Sequence, residues 1–123
     1  MADVEAKTIE VLIVDDDPAI SKMMRLNLVS EGFGVRTAIH GADGLTSVAE
    51  HEPDVIVLDL QMPVMDGRTF FRELRARGCD IPVIVLSAYG ADSARLELGA
   101  EASMGKPFDP MDLVTTIRRV ITG

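Results

Sequence analysis

At 123 residues the chain has the length of one domain, enough to bury a full core. Acids outnumber bases 20 to 12, a net charge of −8 that argues against direct nucleic-acid binding and against an anionic membrane surface. Cys79 is the only cysteine, which leaves no intrachain disulfide or zinc cluster. With no leader-like segment and no apolar run of transmembrane length, a soluble, cytoplasmic protein without a membrane partner is expected.

Residues 1–8 read as a short polar lead-in, with the domain proper over 9–123. Val11-Leu12-Ile13-Val14 is a wholly apolar strand that runs into Asp15-Asp16-Asp17. Asp17 can cap a helix with Pro18 at its first position; Ile20, Met24 and Leu28 share one face, and Gly32 ends it. Gly34 to Ile39 reads as a second, less apolar strand suited to a sheet edge. Ala42, Leu45, Val48 and Ala49 mark a helix closed by Glu52-Pro53. Val55 to Leu58 then run into Asp59, and a Pro-containing loop leads to a helix opening at Asp66-Gly67. That helix turns Phe70, Phe71 and Leu74 inward and stops near Arg77-Gly78. Val83 to Leu86 end in Ser87. A short helix from Ala91 to Leu98 stops at Gly99, and a brief strand from Ala102 to Gly105 precedes Lys106-Pro107. Asp109-Pro110-Met111-Asp112 repeats the cap-plus-proline device before a last helix with Leu113, Ile117, Val120 and Ile121 inward.

Five strands alternating with five helices, three of the strands apolar throughout, predict an α/β fold: a doubly wound parallel sheet with helices on both faces. In such sheets ligands bind beyond the carboxyl ends of the strands. Asp15, Asp16, Asp59, Ser87 and Lys106 all fall at such ends. An unpaired buried carboxylate is costly, so Asp59 requires a partner, and the acids at 15–17 suit a divalent cation.

Four of these segments, in order, resemble the receiver domain of bacterial two-component response regulators. They are Val14-Asp15-Asp16, the string Asp59-Leu60-Gln61-Met62-Pro63-Val64-Met65-Asp66-Gly67, Ser87-Ala88 and Lys106-Pro107-Phe108. Each alone has a plain structural reading: a solvated strand-end acid, a loop of acids, a strand-ending serine, a surface lysine. Those readings do not explain why all four meet at one rim. The resemblance implies the flavodoxin-like strand order 2-1-3-4-5. It also implies that Asp59 is the phosphoacceptor, its carboxylate taking a phosphoryl group from a sensor histidine kinase or phosphotransfer protein. Asp16 directly, Asp15 through water, Asp59 and the Gln61 main-chain carbonyl would hold Mg2+. Lys106, followed by a cis peptide bond to Pro107, and the Ser87 hydroxyl would contact the phosphoryl oxygens. Gln61 and Tyr89 stand where the family tunes how long the phosphoryl group survives.

Charge supports the metal. Asp15, Asp16 and Asp59 bring three negative charges; Mg2+ and Lys106 restore three positive ones before a phosphoryl group adds roughly −1.5 to −2. Asp17 is explained as a helix cap, and His40 and His51 as surface residues in polar turns, because the family takes its phosphoryl group from a partner's histidine.

Two departures from the family affect output rather than chemistry. Ser103 occupies the place, three residues before Lys106, where receivers usually carry an aromatic switch residue. The stretch from Ser87 to Lys106 is about one helical turn short, which predicts a truncated fourth helix and, with Ser103, a monomer or weak dimer. No output domain follows the last helix, so the chain reads as a stand-alone receiver or part of a longer regulator, with an unknown downstream target. The rival readings are an aspartyl-phosphate phosphatase or phosphotransferase and a degenerate receiver used only for binding. Gln61, where such enzymes place a second acid, speaks against the first; intact Asp15, Asp16, Asp59 and Lys106 speak against the second.

Overall fold

The computed structural model describes residues 8–62 and 65–122. All but Thr8 of the lead-in therefore lies outside the described residues, as do Pro63 and Val64 of the loop after Asp59. The elements alternate strictly: β1 Glu10–Val14, α1 Pro18–Ser30, β2 Gly34–Ala38, α2 Gly41–Glu50, β3 Val55–Asp59, α3 Gly67–Ala76, β4 Val83–Ser87, α4 Ala91–Leu98, β5 Ala102–Gly105 and α5 Pro110–Thr122. The five strands pair in parallel in the order β2-β1-β3-β4-β5, with the polar β2 at one edge.

Successive strand residues point to opposite faces, and in a sheet covered on both sides each face must be apolar. Val11, Ile13, Val55, Val57, Ile84 and Leu86 pack with Met24 and Leu28 of α1 and with Leu113, Val114 and Ile117 of α5. The alternate set, Leu12, Val14, Ile56, Leu58, Val83 and Val85, packs with Leu45 and Val48 of α2, with Phe70, Phe71 and Leu74 of α3, and with Ala94 of α4. Two helices thus cover one face and three the other. Burying each such large side chain contributes about 1.5–3 kcal/mol, so truncating fully buried Phe70 to alanine should cost about 3–5 kcal/mol.

The helix starts carry out what their sequences predict. Asp17 Oδ1 accepts from the Ala19 and Ile20 amides at 2.9 and 3.2 Å, and Asp109 Oδ1 from the Met111 amide at 2.8 Å. Asp66 accepts from the Thr69 amide at 2.8 Å, which with lesser help from Arg68 holds its carboxyl below the ordinary value. His40 is not idle in its turn. Its Nδ1 caps α2 by accepting from the Asp43 amide at 3.3 Å.

Helix α2 lies differently against the sheet than its alanines suggest. Ala42 and Ala49 are exposed, while Gly41 and Gly44 are buried beside Leu45 and Val48. A methyl group on Gly44 would stand 2.7 Å from the Phe70 ring, so the missing side chain is what lets α2 approach α3 and β1. Helix α4, at eight residues, is the shortest, and no side chain caps it. It starts instead from Gly90 in the left-handed conformation, φ 59°, which glycine adopts without strain.

Candidate functional site

Asp59 is the last residue of β3 and continues the row Val55–Val57 on the α1/α5 face. Asp15 follows the last residue of β1, the neighbouring strand, at the point where the strand order reverses. Both carboxylates are buried, Asp15 1% and Asp59 2% exposed, whereas Asp16 is open to solvent. One oxygen from each of Asp15, Asp16 and Asp59 lies within 4.8 Å of the others.

Lys106 reaches back from the end of β5. Its ammonium stands 3.3 Å from Asp59 Oδ1 and 3.5 Å from Asp15 Oδ2, and the bond to Pro107 is cis. One cation against two buried carboxylates does not neutralise them. Burial foremost, then Asp15, pushes the Asp59 carboxyl up to about 6, against the opposing pull of the Gln61 amide at 3.1 Å and of Lys106. Hard carboxylate oxygens gathered at one point, where the charge on Asp59 is disfavoured, are a donor set for a hard divalent cation. Carboxylate oxygens gathered this closely suit Mg2+, a small cation that binds oxygen at about 2.0–2.1 Å.

Local packing fixes these positions. Asp15 Oδ1 accepts from the Asp17 amide at 2.9 Å, while the Asp15 carbonyl receives the buried Ser21 hydroxyl at 3.3 Å. Ser21 was missed by the reading of the sequence. The signal was there: a polar residue lying in line with Met24 and Leu28 on the inner face of α1. At β3, a methyl group on Gly67 would stand 2.6 Å from the Asp59 carbonyl, so only glycine lets α3 start directly against that strand end. Ile20, Met23, Pro107 and Phe108 line an apolar groove beside Lys106.

Ser87 ends β4 in the row Val83–Val85, which faces the opposite layer from Asp59. Its hydroxyl donates to the Tyr89 carbonyl at 2.6 Å and accepts from the Gln61 side-chain amide at 2.7 Å. The Tyr89 side chain projects outward, 84% exposed. Ser103 lies on β5 and donates to Asp92 of α4 at 3.4 Å, away from the carboxylates. The sites predicted from the sequence therefore divide. Asp15, Asp16, Asp59 and Lys106 converge; Ser87 stands next to them but is engaged elsewhere; Tyr89 and Ser103 lie outside the cluster.

A five-stranded parallel sheet of this order, with acids and a lysine gathered at its carboxyl rim, defines a class, and comparison with known proteins gives its family. The response regulator receiver domain profile matches residues 11–118, and the chain belongs to that family, whose members are phosphorylation-controlled switches of two-component signalling. It is similar to the transcriptional regulatory protein PrrA of Mycobacterium tuberculosis, 42% identical over 114 residues covering 90% of this chain and 49% of that protein. Among solved structures it is similar to the chemotaxis protein CheY4 of Vibrio cholerae, with a TM-score of 0.86 and 31% identity over 93% of this chain and 99% of that one. The Francisella response regulator 1452 receiver domain superposes with a TM-score of 0.87 at 28% identity, covering 94% of this chain and 98% of that one. The chain spans about half the length of the curated relatives it matches. Among the described residues no helix is long and apolar enough to cross a membrane.

Proposed function

We propose that this receiver accepts a phosphoryl group on Asp59 from a phosphohistidine of a sensor kinase or phosphotransfer protein, in a reaction that needs Mg2+. The observation that carries this reading is the pairing of the buried Asp59 carboxylate with Lys106 Nζ at 3.3 Å, beside carboxylate oxygens of Asp15 and Asp16. An Asp59 oxygen attacks phosphorus as the phosphorus–nitrogen bond of the donor breaks. The imidazole nitrogen leaves with the electron pair and takes a proton from solvent. Lys106 stabilises charge on the transferring oxygens, and Ser87 supplies a hydroxyl to the product. Asp15, Asp16, Asp59 and the Gln61 carbonyl would hold the cation, which when bound offsets the charge that meets the incoming donor.

The apolar groove of Ile20, Met23, Pro107 and Phe108 supports a partner's approach next to Lys106. On this reading the domain over 9–123 is a cytoplasmic switch that assists its own phosphorylation and dephosphorylation rather than an enzyme for other substrates. PrrA is a transcriptional regulatory protein by name, which supports a transcriptional output for the signal. The test is intact-mass measurement after incubation with acetyl phosphate or a phosphorylated histidine kinase. One acid-labile phosphoryl group should appear with Mg2+ and not in chelator. Equal labelling of an Asp59→Asn variant would move the acceptor elsewhere.

A further inference from the structure

The Ser87 hydroxyl has one proton to donate and two lone pairs to accept with, and all three are in use. Its proton goes to the Tyr89 carbonyl at 2.6 Å; its lone pairs receive the Gln61 side-chain N–H at 2.7 Å and the Tyr89 amide at 3.2 Å. Gln61 also holds the next residue, because its side-chain oxygen accepts from the Ala88 amide at 3.2 Å. The amide orientation follows from the partners: Ala88 N–H can only donate, and Ser87 Oγ has no proton left to give. One side chain from the loop after β3 thus grips both a side chain and the backbone of the loop after β4. Ser87, in the row facing away from Asp59, makes none of its hydrogen bonds to that carboxylate.

We infer that Gln61 is a positioning residue that latches Ser87 and the β4–α4 loop in their phosphoryl-free arrangement, and that the latch must open before the hydroxyl can turn toward a phosphoryl group on Asp59. The inference rests on the phosphoacceptor reading of Asp59, and deepens it by adding a group that acts through Ser87 rather than on the reacting atoms. While closed, the latch lowers the fraction of molecules competent to bind phosphoryl, and apparent affinity falls by that fraction. Releasing it removes both side-chain hydrogen bonds of Gln61; the one to Ser87, which restrains the hydroxyl, is by itself enough to raise that fraction about threefold to tenfold.

The experiment uses the full chain, isotope-labelled for NMR, with Gln61→Met as the variant. Methionine keeps the length of the side chain and the main-chain carbonyl but cannot hydrogen-bond as an amide does, and position 61 is exposed, so folding is preserved. Two readouts are taken: the amide shifts of Gly90, Ala91 and Asp92 in metal-free protein, and the affinity for beryllofluoride, a phosphoryl mimic, in excess Mg2+. Without the mimic, the variant's shifts should lie part-way toward the mimic-bound positions of the wild type. Its affinity should rise about threefold to tenfold. The same substitution in a Ser87→Ala background should change affinity by less than twofold, because only the Ala88 amide is left for Gln61 to hold and no hydroxyl remains to turn toward the mimic. Unmoved shifts, an unchanged or weaker affinity, or an equal gain without Ser87 would each overturn the latch. Failure of the wild type to bind the mimic or accept phosphoryl would instead overturn the reading of Asp59, while the metal-free shifts would still report on Gln61.

Discussion

Asp59 is held where its charged form is disfavoured. Its carboxyl titrates near 6 in the fold and near 3.8 when unfolded, so between those values the native state binds the extra proton. Stability tied to this group is therefore complete below about pH 4 and is lost as pH rises through about 6. Asp59→Asn, which keeps shape and removes the charge, should stabilise metal-free protein at pH 8 by about 1–3 kcal/mol, an advantage that vanishes toward pH 4. Chemical denaturation at the two pH values measures it; a gain equal at both would mean that ionisation is not its origin. Asp15 and Asp59 were legible in the sequence because each ends an apolar run, Asp16 because it follows Asp15, and Lys106 because it follows a brief strand in a segment resembling the family; their convergence follows from a parallel sheet. The engagement of Ser87 was not legible. It depends on a hydrogen bond to Gln61, 26 residues away, whose side chain has no periodicity to give it away.

The elements repeat this contrast between signals that are local and those that are not. The caps at Asp17 and Asp109 and the short α4 were readable because cap, proline and glycine act within a few residues of themselves. The seating of α2 was not, because hydropathy gives no weight to Gly41 and Gly44, whose importance lies in what they leave out. Gly67 makes the same point at the site. Gly67→Ala would drive a methyl group to 2.6 Å from the Asp59 carbonyl and from Leu60 Cα, both backbone, so α3 or the end of β3 must shift. A loss of about 1–3 kcal/mol in unfolding free energy is expected from chemical denaturation, together with slower phosphorylation of Asp59. Undisturbed rates in a destabilised variant would show that α3 moves and Asp59 does not. On β5, Ser103 ties to Asp92, which also pairs with Arg95 at 3.1 Å, so a polar contact to the first turn of α4 stands where the family carries an aromatic ring.

For the whole molecule, the short α4 and the absence of a ring at Ser103 are expected to limit how far a signal can spread over the α4–β5–α5 surface. Arg118 of α5 is occupied within the chain, 3.3 Å from Glu31 and stacked over the Phe33 ring at 5.5 Å. The protein should remain a monomer or weak dimer when beryllofluoride and Mg2+ are added, with changes concentrated in the loop from Ala88 to Ala91 and in α4. Analytical ultracentrifugation checks this; a stable dimer seen only with the mimic, and lost on substitution at Arg118, would contradict it. The parallel sheet has one more consequence, for engineering. Every loop that enters a helix lies at the rim of the carboxylates, and every loop that leaves one lies at the other end, five strand residues or about 16 Å away. The two ends are separable in use: the proposed chemistry belongs to one end, and none of its residues lies at the other. Glu52, exposed between α2 and β3, is a suitable place to splice in a fluorescent reporter. A chain so interrupted should still take up phosphoryl at the parental rate, turning the switch into a sensor whose attachment point never meets its trigger.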